Sequence, residues 1–144
     1  MPIYQQNDAL TNALKNSIND SYNDLLHKYK GEFPLATYEI LLNNIKVISR
    51  SNENNVIELS IYLEAVTKYL ELNVNRRFFL GGEKKLLAAL RYFSEAQDVI
   101  PDWEPDGYID DIYCLNLALK AQSRNNLEKI EKSTQAIKRQ RGFN

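Results

Sequence analysis

The chain has almost none of the residues that bind metals or form cross-links through sulfur or imidazole. Among 144 residues there is one cysteine, Cys114, and one histidine, His27. A single cysteine excludes an internal disulfide framework and a zinc site built from several cysteines. A single histidine argues equally against histidine-rich metal chemistry. We interpret Cys114, which stands among apolar residues, as a small buried hydrophobic side chain, and His27 as a surface or boundary residue.

Long apolar runs and an excess of either charge are also missing. No stretch approaches the roughly 18 consecutive apolar residues that a membrane-spanning helix needs. The first ten residues lack the basic start and apolar run of a signal peptide. We therefore expect a cytoplasmic protein without a membrane span. The formal net charge is −1, from 18 basic and 19 acidic residues, so nucleic acid is not an expected partner except through the basic tail with Lys138, Arg139 and Arg141.

Glycine is scarce, with five residues, whereas hydrophobic residues make up 44% of the chain. This composition is globular rather than disordered, and the length fits one domain. Apolar residues recur at steps of three and four, which predicts helices. The sequence thus predicts an all-α fold, a single compact bundle of five or six helices over residues 1–144. The predicted helices span about residues 7–30, 34–48, 56–70, 83–97, 108–119 and 124–141, and the last, basic segment is expected to fray or project.

Residues 98–111, DVIPDWEPDGYIDD, differ from the helical segments around them. They contain five aspartates, one glutamate, two prolines and the only tryptophan of the chain. Pro101 and Pro105 interrupt any helix, and the PDG triplet is typical of a turn. One interpretation is a rigid corner between the fourth and fifth helices. Asp110 and Asp111 would then lie in the first turn of the fifth helix, where negative charge is favoured by the helix dipole.

The same carboxylates are also typical of a divalent-cation site. Mg²⁺ and Ca²⁺ prefer hard oxygen ligands, which carboxylates close in sequence can provide. The candidate metal ligands are Asp98, Asp102, Asp110 and Asp111. Their spacing is not that of an EF-hand calcium loop, and the sequence shows no nucleophile, general base or phosphate-binding glycine loop beside them.

A third interpretation of the segment is an interaction surface. An exposed tryptophan ringed by carboxylates would present an aromatic anchor with a charged rim, as many interface hot spots do. The candidate partner-binding residues are Asp102, Trp103, Glu104, Asp106 and Tyr108. The expected partner is a protein with a basic surface, and homo-oligomerisation is a further expectation left open.

The segment RYFSEAQDVIPDWEPDGYIDD resembles the signature of the YkvA-like family of small bacterial helical domains. The residues that carry the resemblance are Tyr92, Asp98, Ile100, Pro101, Asp102, Pro105, Gly107, Asp110 and Asp111. The match covers about residues 83–120 and departs from the family pattern by having only Asp106 between the second proline and the glycine. The resemblance implies a helical fold and no established catalytic activity, so no catalytic residue is carried over.

Three functions remain open on the sequence alone. The leading hypothesis is a non-enzymatic protein-binding module, a helical adaptor, regulator or inhibitor such as an immunity or antitoxin protein. It depends on the acidic segment with its aromatic centre and on the lack of a visible catalytic set. The alternatives are a divalent-metal-dependent enzyme or metal-regulated switch that uses the aspartates, and a purely structural subunit of a helical assembly.

Overall fold

The computed structural model describes residues 11–28, 35–70, 82–95 and 107–143. These residues form six α-helices and, within those ranges, no strand. The helices are α1 (Asn12–Lys28), α2 (Leu35–Ile48), α3 (Asn54–Leu70), α4 (Gly82–Ser94), α5 (Ile109–Lys120) and α6 (Arg124–Gln140). The prediction of an all-α bundle is confirmed, and all six predicted segments are helical in the part of the chain that is described.

Helix α4 lies at the centre of the bundle. It contacts α1, α2, α3 and α5, while α3 also packs against α2 and α6. The buried side chains of all six helices form one hydrophobic core. The largest fully buried side chains are Ile18, Leu41, Leu59, Ile61, Leu63, Leu70, Leu86, Leu90, Ile112 and Leu115. Across the described ranges, no helix is both long enough and apolar enough to cross a membrane.

Helices α4 and α5 run antiparallel and are joined by polar contacts at both ends. At one end, the Nε2 amide of Gln122 donates to the carbonyl oxygen of Gly82 at 2.9 Å and to that of Ala118 at 3.0 Å. At the other end, the hydroxyl of Tyr92 donates to Oδ2 of Asp110 at 2.8 Å. The second contact places the start of α5, where the acidic segment ends, directly beside α4.

Helix α6 is fastened to α3 along its length, contrary to the expectation that the basic C-terminal segment frays or projects. The N-cap residue of α6 is Ser123, whose side-chain hydroxyl accepts a hydrogen bond from the backbone N–H of Asn126. Lys138 forms an ion pair with Glu58 at 3.0 Å. Arg141 forms a second ion pair with α3, to Glu64 at 2.9 Å. Two cationic side chains near the end of this segment therefore contact α3.

Candidate functional site

The two aspartates that begin α5 are buried. Asp110 is 0% exposed and Asp111 is 2% exposed. Both lie in the first turn of the helix, as the sequence predicts, where the helix dipole favours negative charge. Burial of a carboxylate is costly unless hydrogen bonds compensate, and the Tyr92 hydroxyl provides one such bond to Asp110. These two carboxylates therefore face the interior of the bundle.

The proposed metal site remains a prediction. Asp98 and Asp102, two of its four candidate ligands, lie outside the described residues. Within the ranges that the structure covers, no group of three or more histidine, cysteine, aspartate or glutamate side chains is placed to hold a metal ion. What the structure does establish is the position of the other two candidates, Asp110 and Asp111, in the interior at the start of α5.

Of the candidate partner-binding residues, the structure describes only Tyr108. Asp102, Trp103, Glu104 and Asp106 lie outside the described residues. Tyr108 precedes the first residue of α5 and is partly buried against the core. It lines a small notch of about 80 Å³ together with Asn44, Val47, Ile48 and Phe93. The tyrosine of the acidic segment thus lies next to helix α2.

The side of α2 that borders this notch exposes large apolar side chains. Four large hydrophobic residues of the described chain are exposed, and three of them lie on α2: Ile40 at 49%, Leu42 at 42% and Val47 at 66%. Ile40 and Val47 are seven residues apart, almost two full turns, and so share one side of the helix. Asn43 and Asn44 lie between them. We call Ile40, Asn43, Asn44 and Val47 the α2 face.

The sequence reasoning did not find the α2 face. The structure buries Leu41 with Ile45 and Ile48, while Leu42 stays exposed. Ile40 and Val47 were not singled out. A signal was available, because both lie off the stripe formed by the buried residues and are one heptad apart, as expected of a second apolar face.

A wider groove of about 770 Å³ lies between α2 and α3, and Asn43 of the α2 face also lines it. Its apolar part comes from Tyr38, Leu42 and Ile45. Glu64 on its rim forms ion pairs with Lys68 at 3.4 Å and with Arg141 at 2.9 Å. Glu39 and Lys46 also line the groove.

A second cavity, of about 540 Å³, lies between the C-terminal ends of α1 and α4. Its polar lining includes Asp24, His27 and Glu95. His27 is exposed on α1, in agreement with the sequence interpretation, and Cys114 is fully buried. Glu95 pairs with the buried Arg91 at 3.2 Å. The cavity therefore combines an exposed imidazole with a carboxylate that already serves an ion pair.

Comparison with known proteins gives no further assignment. No family model, no curated protein and no solved structure matches the chain. The resemblance of residues 83–120 to the YkvA-like family accordingly stays a prediction.

Proposed function

We propose that this protein is a non-enzymatic helical protein-binding module that docks its partner on the α2 face. The observation that supports this proposal is that two of the four exposed large hydrophobic side chains in the described chain, Ile40 and Val47, share one side of α2. Exposed apolar residues scattered singly are normal on a protein surface, whereas their grouping is typical of interaction sites.

The energetics favour docking at this face. Ile40 and Val47 are each about half exposed or more, and full burial of such a side chain contributes roughly 1.5–3 kcal/mol relative to full exposure. Contact with a partner would therefore gain about 1–2 kcal/mol from each of the two side chains.

The acidic residues near the α2 face indicate what charge the partner surface is expected to carry. Tyr108 lies beside Val47 in the notch, and Asp102, Trp103, Glu104 and Asp106 precede Tyr108 closely in the chain. The partner surface that meets this region is expected to carry basic groups, because four carboxylates precede Tyr108 within residues 98–106 without a basic residue among them. The cytoplasmic location expected from the sequence stays a prediction.

The experiment that tests the proposal is affinity capture with matched variants. Tagged wild-type protein, Val47→Lys and Leu42→Lys are incubated with lysate of the native host and with an untagged copy of the same chain. Leu42→Lys is the control because it makes the same change at an exposed apolar residue of the same helix, about 160° around the axis from Ile40.

A stoichiometric partner that is retained by wild type and Leu42→Lys and lost by Val47→Lys supports docking on the α2 face. Capture of the same partner by all three proteins would contradict the assignment of the surface. Thermal melting of the three proteins is compared in parallel, since a surface substitution of this kind should change stability by no more than about 0.5 kcal/mol.

A further inference from the structure

We infer that the partner docking on the α2 face is a second copy of this chain, with the two α2 helices packed antiparallel about a two-fold axis. This inference depends on the proposed function, because it uses the same face. Its support is that the exposed apolar residues and amides of the α2 face, and the charges on its flank, are placed to meet complementary groups of a second copy. Isologous two-fold interfaces require that self-complementarity.

The apolar residues are placed symmetrically along the helix. The midpoint of the α2 face falls between Asn43 and Asn44. Ile40 and Val47 lie at equal distances from this midpoint along the helix, one on each side. A two-fold axis through this midpoint and perpendicular to both helices brings Ile40 of each copy against Val47 of the other. Formation of the dimer would therefore bury Ile40 and Val47 of both copies.

The polar centre of the face is compatible with the same arrangement. Asn43 is exposed and Asn44 is half-exposed, so neither amide is sealed inside the bundle. A primary amide carries two donors and an acceptor oxygen. Because the two-fold axis keeps each flank of the face on its own side, Asn43 of one copy meets Asn43 of the other, and Asn44 meets Asn44. In each pair the amides can donate to the amide oxygen opposite.

Two charged residues on one flank of the α2 face are also placed to pair across the two-fold axis. Glu39 and Lys46 are seven residues apart, lie on the same flank and are both exposed. Within the described residues, neither side chain forms an ion pair. A two-fold axis perpendicular to the helices brings the same flank of each copy together with its direction reversed, so Glu39 of each copy lies opposite Lys46 of the other. Glu39 and the Lys46 opposite it are offset by two residues, or about 3 Å along the helix axis. These long side chains can span that distance.

A single pair of helices of this length buries less than the roughly 1,200 Å² of a stable specific interface. The dimer is therefore expected to be weak and to form in a concentration-dependent way.

Sedimentation of the purified chain tests the inference without any other protein present. Wild type and Leu42→Lys are expected to shift from monomer to dimer as the concentration rises from micromolar to millimolar, whereas Val47→Lys stays monomeric over the same range. Wild-type protein that remains monomeric throughout overturns the inference. If Val47→Lys nevertheless loses a host partner in the capture experiment, the proposed function survives that failure, so the two outcomes are distinguishable.

Charge reversal tests the antiparallel register. Glu39→Lys and Lys46→Glu each place like charges opposite one another in the homodimer, and each alone should weaken self-association roughly tenfold or more. Mixing the two variants restores opposite charges at both symmetry-related pairs, so a heterodimer should form at wild-type concentrations.

The mixture also separates an interface role from an effect within one helix. An acidic residue in the first half of α2 and a basic residue in its last turn also suit the dipole of their own helix. Mixing cannot repair an effect on the isolated helix, which circular dichroism of each variant would show. Failure of the mixture to dimerise while wild type does would overturn the antiparallel arrangement.

Discussion

A tyrosine hydroxyl connects the acidic start of α5 to helix α4. The Tyr92 side chain is buried, and its hydroxyl donates to Oδ2 of the fully buried Asp110 at 2.8 Å. Hydrogen bonds to charged groups contribute more than those between neutral groups, and loss of one partner of a buried acceptor is costly. This contact therefore joins α4 to the first turn of α5, in addition to the apolar packing between the two helices.

Replacing Tyr92 by phenylalanine should destabilise the protein by about 1–3 kcal/mol, because Asp110 loses a hydrogen bond in the interior. The measurement is urea unfolding at neutral pH. Tyr38→Phe is the matched control, since Tyr38 also packs against the core but its hydroxyl makes no hydrogen bond within the described residues. The control should lose no more than about 0.5 kcal/mol, and equal losses in the two variants would contradict a specific role for the Tyr92 contact.

The sequence predicted the position of Asp110 and Asp111 in the first turn of α5 but not their burial or the Tyr92 contact. Helical periodicity tells which residues share a side of one helix. It does not tell which residue of another helix lies opposite, because that depends on the path of the intervening chain and on the crossing of two helices. The Gln122 amide that reaches Gly82 across 40 residues escaped sequence reasoning for the same reason.

At the scale of elements, the six helices follow the predicted segments closely. The observed α2, α4 and α6 begin within one residue of the predicted starts and end within about three residues of the predicted ends. Local signals such as apolar spacing, glycine and polar breaks determine such boundaries. The prediction that the C-terminal segment frays or projects was wrong. Its few apolar residues, Ile130 and Ile137, suffice to bury one side of α6 against α3.

The end of α6 depends on Arg141 for its attachment. The guanidinium donates to Oγ of Ser60 at 2.8 Å and to Oε1 of Glu64 at 2.9 Å, both on α3. Arg141→Ala should therefore speed hydrogen exchange in the last two turns of α6, with a loss of unfolding free energy of about 0.5–2 kcal/mol.

Arg139→Ala is the matched control for this prediction. Arg139 is an exposed arginine of the same turn and forms no ion pair in the part of the chain that the structure describes. Its removal should leave exchange of the α6 amides unchanged. Equal exchange in the two variants would show that the Arg141 contacts do not hold the end of the helix.

At the scale of the whole molecule, Tyr22 lies where α1, α4 and α5 meet. Its side chain is buried in the core, and its hydroxyl donates to the backbone carbonyl oxygen of Lys85 at 2.8 Å. Burial raises the pKa of Tyr22 well above its ordinary value of 10.0, and the nearby Cys114 adds to the increase. The folded protein therefore retains the phenolic proton under conditions in which the unfolded chain releases it.

This difference predicts a global loss of stability at alkaline pH. Below about pH 10 both states keep the Tyr22 proton, so the contribution of the group is fully present. Above that pH the unfolded chain ionises while the folded protein does not, and the free energy of unfolding should fall by about 1.4 kcal/mol for each further pH unit. The measurement is urea unfolding of wild type and Tyr22→Phe from pH 7 to pH 11.

The variant lacks the hydrogen bond to Lys85 at every pH and should be less stable than wild type by a constant amount, about 1 kcal/mol, below pH 9. Above pH 10 the difference should shrink and then reverse, because only wild type carries a phenol at this position whose ionisation favours the unfolded chain. Because Tyr22 joins three helices, the change should appear in the unfolding of the whole bundle and not only in the exchange of α1. A difference that stays constant up to pH 11 would mean that Tyr22 does not carry the alkaline sensitivity of the fold.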